Sequence, residues 1–202
     1  MMIDETYKPQ SGRLSDRDIT YLCVGDNPMI SPFSAKQSGK PSFGLSSAGF
    51  DFRLGNTYYR QKEYTGEYFR VIDPLSEEDQ SFSWIKEEAK DGEIIIYPGE
   101  CLLTATMETI DMPDDIVATV LGKSTYARNN IIVNATPLEP GWRGVVTLEL
   151  HNCSNEFPVK LRVGHGIAQV TFERMANPPA RTYSNREVDG KYQDQVGVTV
   201  SK

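Results

Sequence analysis

Residues 121–150 read LGKSTYARNNIIVNATPLEPGWRGVVTLEL. From Val145 to His151 the side chains alternate. Val146, Leu148 and Leu150 share one face, and Val145, Thr147, Glu149 and His151 share the other. That is the period of a half-buried strand. Pro140-Gly141-Trp142-Arg143-Gly144 is a turn leading into it, and Trp142 most simply packs a core or an interface. Glu149 stands mid-strand, where acidic residues are depleted. It either faces solvent or is held in a site. A partly desolvated carboxylate of this kind can serve as general acid or base near neutral pH, and Arg128 is the candidate to orient it.

On either side the chain repeats the same pattern. Phe50, Phe52 and Leu54 alternate with Asp51 and Arg53, which reads as a strand with a surface ion pair on its outer face. Glu93–Tyr97, Cys101–Met107, Ile116–Leu121, Pro158–Val163 and Ile167–Phe172 read as further strands broken by Pro and Gly. One short helix is expected after Leu14, capped by Ser15 with Asp18 three residues on, and ending near Val24. Residues 56–92 are polar and aromatic, an excursion of loop and edge strand. Many short strands with Gly/Pro turns indicate an all-β sandwich, barrel or jelly roll. The 202 residues fit one domain, with 1–13 and 176–202 flexible or ordered on ligand or subunit contact.

Composition removes several function classes. Lys+Arg number 21 against 28 Asp+Glu, a formal charge of −7, which argues against nucleic-acid binding through a basic surface. No apolar run reaches the ~18 residues of a membrane span, and the start has no apolar signal core. Three widely spaced cysteines read as reduced thiols in a cytoplasmic protein. No C-x-x-C, H-x-E or H-E-x-x-H spacing occurs, so a zinc site is not expected.

Gly122-Lys123-Ser124-Thr125 resembles the end of a P-loop, but Val117 stands where the first glycine belongs, and no strand–loop–helix context surrounds it. A glycine turn with backbone N–H groups, two hydroxyls and an ammonium nevertheless suits phosphate oxygens. An ordinary polar turn is an equally simple reading.

GKSTYAR, NATPLEPGWRGVVTLEL and GKYQDQVGVT together resemble the dCTP deaminases of the trimeric dUTPase-like superfamily. LSDRDI, SSAGFDFRLG and GHGIAQVTFER extend the resemblance collinearly over residues 14–200. The resemblance implies a distorted β-barrel or jelly roll with a short N-terminal helix, a homotrimer with shared active sites, and zinc-independent hydrolysis of dCTP to dUTP and ammonia. It implies that Glu149 is the general acid/base and that Ser124 and Arg128 position the water and the glutamate. Lys123, Ser124, Thr125, Tyr126, Ala127, Arg128, Thr147, Leu148 and Glu149 match its nucleotide-contact segments. Gln169, Tyr183, Lys191 and Gln195 match later contacts to base and triphosphate; Tyr183 to Lys191 is about two residues longer than the family spacing. Magnesium is expected on the triphosphate, because few lysines are available to neutralise it. Whether dTTP inhibits, as in many relatives, is left open. Two rivals stand beside this reading. One is a bifunctional deaminase/dUTP diphosphatase or a dUTPase, whose aspartate base would fall at Glu139. The other is a non-catalytic nucleotide-binding regulator.

Overall fold

The alternating stretches become twelve strands joined by tight turns, with three short helices, in a computed structural model that describes residues 7, 9–62, 71–185 and 191–201. In chain order these are β1 (Gly12–Arg13), α1 (Asp16–Cys23), β2 (Ile30–Ser31), β3 (Gly44–Ser46), β4 (Gly49–Gln61), α2 (Glu77–Ser83), β5 (Trp84–Glu88), β6 (Glu93–Ile96), β7 (Cys101–Asp111), β8 (Ile116–Gly122), α3 (Ser124–Ala127), β9 (Ile131–Asn134), β10 (Arg143–Asn152), β11 (Val159–Arg162) and β12 (Gly166–Arg174). Among the described residues, ten strands form one sheet with the path β1-β12-β4-β7-β10-β9; β2 and β8 pair with β7 and β12, and β3 and β5 pair with β4. The sheet curls into a half-barrel. β11 and β6 form a separate pair, so the consecutive strands β11 and β12 part into different sheets.

The apolar faces read from the sequence close on one another. Phe50, Phe52 and Leu54 of β4, Leu148 and Leu150 of β10, and Phe172 of β12 are fully buried in one core. This removal of apolar area from water drives the fold. Helix α1 starts as expected. The Ser15 amide donates to the Asp18 carboxylate (2.7 Å), the Asp18 amide donates to Ser15 Oγ (3.4 Å), and the helix ends before Val24. The excursion after residue 56 holds more order than expected. β4 runs on to Gln61, and Ser76 caps α2, which leads straight into β5. Residues 63–70 lie outside the described ones.

The surface pair expected of Asp51 and Arg53 is not formed. Each takes its own buried partner instead. The Arg53 backbone amide and Nε donate to the two oxygens of Glu108 on β7, at 2.9 and 2.6 Å. Glu108 has no exposed surface, and burial pushes its carboxyl above the usual range although Arg53 pulls it down. Asp51 is also buried and points to a different cluster, described below. All three cysteines are free thiols. No helix of the described residues is long and apolar enough to cross a membrane.

Candidate active site

Strand β10 delivers its outward face to a cavity of about 690 Å3. Thr147, Glu149 and His151 contribute from β10, Cys101 and Leu103 from β7, and residues 135–139 from the turn that follows β9. The remaining wall comes from the C-terminal segment, which lies along the chain's own β10. The Val145 amide donates to the Gln195 carbonyl (2.9 Å), and the Asp194 amide to that of Arg143 (2.8 Å). Gly144 permits this approach, since a Cβ there would lie 2.8 Å from the Gln195 nitrogen. Thr147 Oγ accepts from Gln195 Nε2 (3.0 Å) and from the Thr199 amide (3.3 Å), holding the segment across the cavity. Trp142 is buried and donates its indole N–H to the Tyr192 carbonyl (2.9 Å).

Glu149 is half-buried in this wall. Its Oε2 accepts from the side-chain amide of Asn134, which stands directly opposite it on β9. Among the described residues Oε1 accepts no hydrogen bond. The Cys101 thiol is pushed up to about 11, first by burial and then by the charge of Glu149. The cavity wall carries the carboxylates of Glu139 and Glu149 and, among the described residues, no lysine or arginine.

A second polar cluster forms around Asp51, which is 1% exposed. Lys123 Nζ (2.5 Å), Gln37 Nε2 (2.8 Å) and Ser42 Oγ (3.2 Å) donate to its Oδ2, and Gln169 Nε2 donates to its Oδ1 (3.2 Å). The GKST turn leaves this cluster as one turn of helix, α3, with Lys123 at its N-terminal boundary. Ser124, Thr125, Ala127 and Arg128 are exposed, whereas Tyr126 is buried and its phenol is raised by that burial.

The residues singled out from sequence therefore divide within one chain. Thr147, Glu149, Tyr183 and Gln195 line one cavity. Leu148 turns into the core between them. Lys123 and Gln169 meet at Asp51, and Ser124 to Arg128 lie outside the cavity wall. Lys191 is exposed in the C-terminal segment, and the span 186–190 that sets its distance from Tyr183 lies outside the described residues. Two participants lie in stretches singled out from the sequence, but their parts here do not show in it. Asn134 is found only through the β9–β10 register, and Asp51 only through the folding of β4 beside α3.

Among the described residues no group of three or more His, Cys, Asp or Glu side chains is arranged to hold a metal ion. A family model described as dCTP deaminase-like matches residues 13–175. The dCTP deaminase of Pelagibacter ubique (strain HTCC1062) is 41% identical over 191 residues, covering 94% of this chain and 98% of its own length. That of Campylobacter concisus is 38% identical over 193 residues, covering 95% and 98%. Among solved structures, the 2'-deoxycytidine 5'-triphosphate deaminase from Agrobacterium tumefaciens superposes with a TM-score of 0.60 at 21% identity over 81% of this chain. This chain spans 48% of that one, about half its length, and at such identity the likeness speaks for the fold.

Proposed function

The chain belongs to the dCTP deaminase-like family, and from that premise we propose that it hydrolyses dCTP to dUTP and ammonia with Glu149 as general acid/base. The observation that supports this reading most is the setting of Glu149. It is a half-buried carboxylate on a strand that lines a cavity of about 690 Å3, with one oxygen held by Asn134 and no hydrogen bond to the other among the described residues. Water bound at Oε1 gives its proton to Glu149 as its oxygen adds to C4 of cytosine. Glu149 passes that proton to N3; it then takes the proton of the new C4 hydroxyl and delivers it to the amino nitrogen, so that the tetrahedral C4 collapses to a carbonyl, the C4–N bond breaks and ammonia leaves. One water is consumed, and the carboxylate returns to its starting state.

The rest of the site is proposed to come from a second copy in a homotrimer. A triphosphate cannot rest against a wall of two carboxylates without cations. Ser124, Thr125, Ala127 and Arg128 are exposed on and just after α3, free to reach a neighbour's cavity, with Ser124 and Arg128 placing the water and the glutamate. Thr125, Tyr126 and Ala127 would support the same contact, and Gln169, Tyr183, Lys191 and Gln195 the base and phosphates. Lys123 would share its ammonium between the phosphates and Asp51. Magnesium bound through the nucleotide would screen its phosphate charge. Zinc has no role in this scheme, in keeping with the missing His/Cys spacings.

Glu139 also lines the cavity, so a second carboxylate is within reach of the bound nucleotide, and cleavage of dUTP remains a second reading. One assay separates these readings. The protein is incubated with dCTP and magnesium, and ammonia and pyrophosphate are followed. Ammonia alone is expected; ammonia with pyrophosphate establishes the bifunctional reading, and dCTP binding with neither product a regulator. The Glu149→Gln variant is expected to bind dCTP and release no ammonia. Wild-type turnover by that variant overturns the role given to Glu149.

A further inference from the structure

We infer that Asn134 is the positioning residue for Glu149: its side-chain amide claims Oε2 and so reserves Oε1 for the attacking water. The inference rests on the reading of Glu149 given above. Its basis is the strand register. β9 and β10 are antiparallel, with Glu149 opposite Asn134 and Leu150 opposite Val133. Directly opposed residues project to the same face with Cβ atoms about 5 Å apart. The ladder, not a loop, therefore sets the distance between amide and carboxylate.

The other neighbours do not compete for this part. Leu103, opposite Glu149 on β7, is apolar. The Thr147 hydroxyl is already engaged by Gln195 and Thr199. Asn134 is thus the one described donor to Glu149. A glutamate has three rotatable side-chain bonds, and an untethered one samples orientations in which no oxygen faces the substrate. The chemistry of the donor also suits a proton shuttle. A neutral amide bonds to both forms, its N–H to the carboxylate and its C=O to the carboxylic acid.

The test compares Asn134→Ala, Asn134→Asp and Glu149→Gln with the wild type, measuring kcat and KM for dCTP, with thermal melts alongside. Asn134 is exposed, so Tm should move by no more than about 2 °C. For Asn134→Ala, kcat should fall about tenfold, as expected for losing one hydrogen bond to a charged group, with KM within about twofold. Asn134→Asp should lower kcat further, since a like charge then stands opposite Glu149. If Glu149→Gln is inactive while Asn134→Ala keeps the wild-type kcat, the inference is wrong and the role of Glu149 stands. A loss confined to KM overturns it equally. An active Glu149→Gln variant overturns the reading beneath it instead.

Discussion

Replacing Asp51 with Asn removes one charge and almost no volume, at a position 1% exposed. In the wild type its two oxygens accept from Lys123, Gln37, Ser42 and Gln169. An asparagine keeps one acceptor and turns two N–H groups toward donors. The ammonium of Lys123, only 13% exposed in its side chain, is left without a counter-charge. Removing one partner of a buried pair costs about 3–5 kcal/mol. The lower end applies here, because the lysine stem can carry its head toward water. For a chain of this length about 3 kcal/mol corresponds to a Tm lower by roughly 6–12 °C. Lys123→Met removes the cation and leaves Asp51 with two amides and a hydroxyl, a smaller loss. The double variant holds no uncompensated charge, so the cycle should show a coupling of about 1–3 kcal/mol. Thermal and urea unfolding of the four proteins measure it. An Asp51→Asn variant melting within about 2 °C of the wild type, or a strictly additive cycle, would refute the claim that this pair ties β4 to the start of α3.

Two further outcomes can be checked on the same instruments. A Cβ at Gly166 would lie 1.8 Å from the Ser42 carbonyl oxygen, a backbone atom that no rotamer change can move; Gly166→Ala should therefore cost at least about 1–3 kcal/mol, against an unchanged melt for Gly197→Ala, where nothing lies within 4 Å. The Asp18 carboxyl is raised by burial but brought below its ordinary value of 3.8 by hydrogen bonds from Ser15 and Tyr7. A carboxyl with a lowered folded value contributes stability above its unfolded value and loses it as pH falls through the folded one. Asp18→Asn should therefore be destabilised by about 1 kcal/mol at pH 7, and the gap should close on acidification below pH 3.8; a gap that stays constant down to the acid transition counts against the capping box.

What the sequence disclosed follows the range of each interaction. The Ser15–Asp18 box and the alternation of β4, β10 and β12 are local. They depend on residues two to four apart, and the structure has them where the pattern put them. Asp51 and Arg53 were misread because alternation says which face a side chain takes and not what covers that face. The partners of this pair are Lys123, 72 residues away, and Glu108, 55 away. Glu149 was legible as an acid in an apolar strand, but its hydrogen-bond partner was not. Arg128 was the candidate read from the sequence to orient it; within the chain itself, the amide that reaches the carboxylate is that of Asn134, placed by the register of β9 on β10.

On the other side of β10, the place of Glu149 along β7 depends on an irregularity in that strand. Between Val145 and Thr147, β10 advances two residues while β7 runs from Thr109 to Ala105, four residues, so β7 carries two extra residues here. The Val146 amide, left without a ladder partner, donates to Thr106 Oγ (3.0 Å), and Thr106 Oγ donates to the Glu108 carbonyl (2.7 Å). Glu108 itself turns inward to Arg53. A continuous ladder from Val145 and Thr109 would set Glu149 against Ala105; the bulge sets it against Leu103. The slip is even, so the face of Glu149 would not change, but its place along β7 would move by about 7 Å. One wall of the cavity, Thr147 with Gln195 and Thr199, travels with β10. The other, Cys101 and Leu103 with Trp84, belongs to β7 and β5. Glu108, bonded to Arg53, lies inside the bulge that brings these two walls into line, so a carboxylate with no exposure of its own sits where the place of Glu149 along β7 is set.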